Sequence, residues 1–263
     1  MTGDHADALE ASFSRQATAF EDQHFNSVFT TDVDWLFARL RLDPDQLVLD
    51  VAAGTGHAAR ALAPHVRGVV ALDATRAMLD QGKLAAEAAG LRTIVFQLGD
   101  AAALPFVDES FEIVVSRFAV HHFERPGIQI DEIARCLRRG GALVIADLVA
   151  DDDVRVAAAQ NRLERLRDPS HTRILATAEL VGLIERSGTA IRAIDTRAVE
   201  RPLAPWLAQT GAGPEIVATI EAELRAELDG GGPKTGFRPR IDAGELHFTQ
   251  RFVSVTADRP PAG

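Results

Sequence analysis

The chain is 263 residues long, 46% hydrophobic and 25% charged, which suits a sizeable hydrophobic core rather than a disordered or membrane-embedded polymer. Its formal net charge is −10 and it has no long basic block, which argues against a nucleic-acid backbone or an anionic membrane as the main partner and leaves a small molecule. The lone Cys136 excludes an internal disulfide framework and a multi-cysteine metal site, so no metal is expected.

The first stretch, about residues 1–40 around FSRQATAFEDQHFNSVF, is expected to form a helical cap. The strongest local signal follows in LVLDVAAGTGHAA, residues 47–59. Leu47, Val48, Leu49 and Val51 predict a strand buried on both faces, and Asp50 among them needs backbone amides, a polar ligand or a cation to offset its burial. Ala52, Ala53, Gly54, Thr55 and Gly56 predict a tight turn that a ligand can approach closely. A helix from His57 to Val66 would turn its first amides toward the same crevice. Gly54, Gly56 and Ala59 satisfy the dinucleotide fingerprint GxGxxA, with Asp73 at the distance of a ribose-binding acid, so a nicotinamide dinucleotide and S-adenosylmethionine both fit this stretch.

Further along, GVVALD (68–73) predicts a second strand and ATRAMLDQGKLAAEAAG a helix stopping at Gly90. TIVFQLGD (93–100) and FEIVVSRFAVHH (111–122) predict the third and fourth strands. GIQIDEIARCLRRGG reads as a helix with a double-glycine stop, and ALVIAD (142–147) as the fifth strand. Such alternation predicts a doubly wound α/β sheet whose ligands bind beyond the carboxyl ends of the strands. Asp50, Asp73, Asp100 and Asp147 would form one polar ledge there.

DDDVRVAAAQNRLERLRD and TAELVGLIERSG predict two helices, separated by a loop RDPSHTR that offers His171 and Arg173 to a cleft. AIRAIDTRAV and ELHFTQRFVSV have strand character, and the stretch of about fifty residues between them is far longer than a hairpin needs. About residues 200–244 are therefore expected to form a helical lid over a substrate, with DRPPAG a frayed tail. The rings of Phe13, Phe20, Phe25, Phe29, Trp206 and Phe237 could wall an aromatic, polyketide or terpenoid substrate. A single domain over 1–263 is expected, with the oligomeric state open between monomer and homodimer. No apolar run is long enough to span a bilayer and the opening MTGDHADALEASFSRQ lacks the order of a signal peptide, so a reducing, cytoplasmic setting is expected.

Taken together, LVLDVAAGTG, VVALDATRAML, GDAAALPFVDESFEIVVSRFAVHHF and EIARCLRRGGALVIAD resemble the class I S-adenosylmethionine-dependent methyltransferases, in particular the ubiquinone/menaquinone-biosynthesis-like small-molecule branch, over roughly residues 11–190. The resemblance implies a mostly parallel seven-stranded sheet with one antiparallel strand near the end and S-adenosylmethionine as cofactor. It implies Asp50, Ala52, Gly54 and Gly56 at the methionine part, Asp73 at the ribose, and Ala74, Met78, Asp100 and Ala101 around the adenine. Ser116 would lie under the methionine part, with Arg117 and Phe118 entering the cleft. Ala52 departs from the glycine usual in the wider superfamily. The expected chemistry is O- or C-methylation of a small hydrophobic or aromatic metabolite, with His121 or His122 as general base and Phe20, Phe118, His171, Trp206 and Phe237 on the substrate side. The alternatives are a cyclase or related natural-product enzyme that binds the cofactor without methylating, and a non-catalytic binding protein.

Overall fold

A computed structural model describes residues 3–17, 21 and 34–261. In chain order the elements are α1 (Gly3–Gln16), α2 (Asp34–Phe37), β1 (Leu47–Val51), α3 (His57–Leu62), β2 (Gly68–Asp73), α4 (Arg76–Ala88), β3 (Ile94–Leu98), β4 (Phe111–Arg117), α5 (Pro126–Cys136) and β5 (Leu137–Leu148). Then follow α6 (Val154–Arg167), α7 (Thr177–Arg186), β6 (Ala190–Pro202), α8 (Leu203–Ala208), α9 (Pro214–Leu228), β7 (Arg240–Asp242) and β8 (Glu245–Asp258).

The strands form one sheet in the order β3-β2-β1-β4-β5-β8-β6, in which β8 runs antiparallel to both neighbours and the rest pair in parallel. Alternation of side chains feeds two cores from one strand. Leu49 and Val51 of β1 meet Ile130, Ile133, Leu180 and Ile184 of α5 and α7, while Val48 meets Ala58, Ala59 and Leu62 of α3 on the opposite face. The chain order reverses between β1 and β4, which pair at Val51 and Ser116. That switch point is where an open α/β sheet leaves a crevice beyond its strand ends.

The structure corrects several boundaries. The expected helix over LRRGG ends instead at Cys136, and Leu137 starts β5 by pairing with Phe111. The sheet is irregular between Phe111 and Ile113, and Gly140 has φ 76. A Cβ on Gly141 would lie 2.7 Å from the carbonyl of Glu112, so this glycine serves close strand approach rather than helix termination. What ends the helix is distant in sequence: the Arg259 guanidinium donates to the carbonyls of Ala134, Arg135 and Leu137. Arg259 thus belongs to the fold, in a segment expected to fray. The fourth strand stops at Arg117, because Phe118 turns into the left-handed region (φ 53) and a single 3₁₀ turn, Val120–His122, follows.

The long segment between the last two main strands holds α8 and α9 and adds a short eighth strand, β7, which forms a hairpin with β8 through Ala243 and Gly244. It has a small core of its own, in which Trp206, Leu207, Ile220, Leu224, Phe237 and Phe248 pack against Leu163 of α6. No helix among the described residues is long and apolar enough to cross a membrane.

Candidate active site

A cleft of about 950 Å³ opens at the carboxyl ends of β1, β2 and β4. On its floor Asp50 is buried and accepts a hydrogen bond from the amide of Ala59, 3.0 Å away on the first turn of α3. Burial pushes this carboxyl up to about 7, against that amide and the neighbouring Arg117 charge, with Asp73 adding to the rise. Arg117 is pushed down to about 10 by the same loss of water. Such a carboxylate is costly in its ionised form and becomes favourable when a cation lies against it.

Asp73 stands half-buried at the end of β2 and ties two loops together. Its Oδ2 accepts from Gly54 N at 2.7 Å and its Oδ1 from Thr75 N at 2.8 Å. Desolvation raises it too, with both amides opposing. A Cβ on Gly54 would meet nothing within 4 Å, so the backbone is laid bare to the cleft at φ 57. Ala52 takes the same left-handed conformation (φ 54) with a methyl group in place. Gly82 on α4 supports the turn from behind: a Cβ there would lie 2.5 Å from the Thr55 carbonyl. Leu72, Met78, Ala101 and Phe123 give the cleft an apolar side, and Asp100 holds its own loop by accepting from Ala102 N at 2.8 Å.

A second chamber, about 510 Å³, shares Phe13, Phe118 and His122 with this cleft. Its wall brings together His121 and His122 from the turn after β4 and His171 from the loop after α6, with ring centroids 4.2–4.7 Å apart. Each ring is fixed differently. The His121 ring nitrogen Nδ1 lies 2.5 Å from Asp147 Oδ1 at the end of β5, and the same carboxylate accepts from His121 N and Leu148 N. With Nδ1 committed to a carboxylate, Nε2 is left as the proton acceptor. The His122 Nδ1 donates to the Ser170 carbonyl at 3.0 Å, and burial, then the neighbouring His121, push this imidazole down to about 3. His171 is held well below its ordinary value by burial, then by His121, His122, Arg167 and Arg165. Asp168 accepts from Ser170 N and Ser170 Oγ, which fixes the loop that delivers His171.

A model of the methyltransferase domain matches residues 49–145, from the first strand through the fifth. The uncharacterized methyltransferase YcgJ of Bacillus subtilis (strain 168) is 31% identical over 204 residues, 77% of this chain and 79% of that protein. The chain belongs to the class I S-adenosylmethionine-dependent methyltransferases. The solved structure of YcgJ superposes with a TM-score of 0.81 over 88% of this chain and 98% of the other, at 26% identity. A candidate methyltransferase from Bacillus halodurans C-125 gives 0.80 over 88% and 99%, at 28% identity. The demethylmenaquinone methyltransferase of Renibacterium salmoninarum is 41% identical over 104 residues, 40% of this chain and 42% of its own.

In this methyltransferase, all the residues expected to hold the cofactor line the outer cleft except Gly56 and Ser116. Gly56 caps α3 at φ 76, and Ser116 is buried behind the floor, its hydroxyl donating to the Val51 carbonyl at 3.0 Å. Phe118 and His122 line both cavities, and His121, His171 and Trp206 the inner one. Phe237 does not line either cavity: it is 1% exposed, packed between Trp206 and Phe248 in the core of the insertion. Phe20, Phe25 and Phe29 lie outside the described residues. The sequence reading placed Asp147 on the ledge without pairing it to His121, and it missed Glu164, Arg167, Asp168, Arg201 and Gln250. The turn-forming DPS in 168–170 was a local signal for the loop, since Asp168 holds the Ser170 amide, but nothing local pointed to its partners.

Proposed function

We propose that the protein transfers the methyl group of S-adenosylmethionine to an oxygen or carbon of a small molecule in the inner chamber, and that His121 takes the proton released. S-adenosylmethionine, when bound, supplies a methyl group already activated on a sulfonium. The chain's part is to hold that cation, align an acceptor and keep water out. Asp50 on the floor, raised by burial, suits the positive methionine part. Asp73 keeps lone pairs for ribose hydroxyls after accepting from Gly54 and Thr75, and the side built by Leu72, Met78, Ala101 and Phe123 suits a base. The adjacency of the two cavities, which share Phe13, Phe118 and His122 as lining, is the observation that carries the reading, because it sets a cation-seeking carboxylate in one beside a His–Asp pair on the wall of the other.

His121 is preferred over His122 because a carboxylate, rather than a carbonyl, sits on its Nδ1. An ionised partner stabilises the imidazolium formed when Nε2 accepts a proton. We place the reaction in the cytoplasm on the strength of composition. The test is mass spectrometry of small molecules from cells expressing wild-type protein and His121→Ala. A product heavier by one CH₂, formed with S-adenosylhomocysteine and lost in the variant, is expected. A product isomeric with its precursor would point to a cyclase instead.

A further inference from the structure

The inner chamber holds a guanidinium that methyl transfer does not use. Arg201, near the end of β6, is 8% exposed. Its Nη1 donates to Gln250 Oε1 at 2.8 Å and its Nη2 reaches Gln209 Oε1 at 3.5 Å, so only amide oxygens meet it, and no carboxylate among the described residues is in contact. Glu164, whose charge acts on it without contact, accepts from the other end of the Gln250 amide at 3.3 Å and lies 3.4 Å from Arg167. Of five N–H donors, Arg201 therefore spends two on neutral acceptors. A buried cation without an ion pair is a standing cost, which an arriving anion offsets.

The neighbourhood discriminates between ligand charges. The nitrogens of His121, His122 and His171 lie within 4.8 Å of one another, a spacing that could also suit a metal ion. Yet Arg167 and Arg201 line the same chamber, and Arg167 and Arg165 both oppose positive charge on His171. Of the carboxylates beside these groups, Asp168 on the wall is taken up by Ser170 and Glu164 lies 3.4 Å from Arg167, so Arg201 is the charge left for an arriving anion. The wall also carries the apolar and aromatic side chains of Phe13, Phe118, Leu148 and Trp206, beside the polar Gln16, Gln209, Thr210 and Gln250.

We infer that the methyl acceptor is a small acid with an apolar or aromatic body, whose carboxylate is read by the Arg201 guanidinium in the inner chamber. This rests on the reading of that chamber as the acceptor site and narrows the substrate class. A planar fork of N–H donors matches a carboxylate in two-point contact, and the Gln250 amide, held between Arg201 and Glu164, fixes the fork's direction.

A panel of aryl and alkyl carboxylic acids, each paired with its primary carboxamide, tests this by ligand-observed NMR on the full chain, with and without S-adenosylhomocysteine. The acids should bind at least tenfold more tightly than their amides. Arg201→Gln should abolish that preference, Arg201→Lys should keep part of it, and both should bind S-adenosylhomocysteine as wild type does, which reports an intact fold. Amides bound as well as acids, a preference that survives Arg201→Gln, or no acid bound at all would overturn the inference. One equivalent of zinc retained by wild type and lost in His171→Ala would also overturn it. Failure to bind S-adenosylhomocysteine in wild type would instead count against the methyl-transfer reading, leaving acid selectivity as a separate result.

Discussion

Replacing Asp50 by Asn removes a buried charge without changing the shape of the side chain, and its effect on the ligand-free protein can be worked out. Raising the carboxyl from its ordinary 3.8 to about 7 costs the ionised form about 4 kcal/mol, at about 1.4 kcal/mol per pH unit. The sign follows from proton binding. The folded state holds the proton more tightly than the unfolded chain, so this contribution to stability is fully present below the ordinary carboxylate pKa and is lost as pH rises toward 7. Between pH 5 and pH 8 the wild type should lose about 3 kcal/mol that Asp50→Asn does not lose. The Asn oxygen can still accept from Ala59 N, while its new N–H donors cost part of the gain, so the pH dependence is the test rather than the absolute stability. Urea unfolding of both proteins at pH 5 and pH 8, without cofactor, reads it directly. Parallel behaviour of the two across that range would refute the assignment of Asp50 as a carboxylate kept costly for a cation.

Three further outcomes are expected. His121→Ala and Asp147→Asn should each lower kcat by roughly 10²-fold or more while leaving S-adenosylmethionine affinity within a factor of two or so, because both act on the proton and not on the outer cleft; equal losses in affinity would assign the pair to cofactor binding. Phe237→Ala should cost about 3–5 kcal/mol of stability in chemical denaturation, as for a ring removed from a packed core; a loss below about 1 kcal/mol would return Phe237 to the substrate side. Ala52→Gly should raise the unfolding free energy by up to about 1 kcal/mol, since φ 54 strains a residue with a Cβ, with glycine's own backbone entropy offsetting part of the relief; a decrease would show that the methyl group packs productively.

What was legible in the sequence was local. The apolar run at 47–51, the glycine turn and the acids Asp50, Asp73 and Asp100 at or just beyond the ends of β1, β2 and β3 follow from period and residue type, and they set out the cofactor cleft. Pairings across the fold were not legible. Asp147 and His121 stand 26 positions apart on different elements, and Arg201 meets Gln250 across 49. Ring identity misled at Phe237, because an aromatic side chain fits a core and a cavity wall equally well and only packing with Trp206 and Phe248 decides between them. LRRGG misled for a related reason: glycines signal a break, but the carbonyls of the helix end are satisfied by Arg259, more than a hundred residues away.

The central claim is that the cleft over Asp50 binds a sulfonium nucleoside, and calorimetric titration tests it most directly. S-adenosylmethionine at pH 8 should bind wild type at one site, bind Asp50→Asn at least tenfold more weakly by loss of a charge-assisted contact, and show no competition from NADH. Binding of NADH with no response to S-adenosylmethionine, or equal affinity in the two proteins, would contradict it.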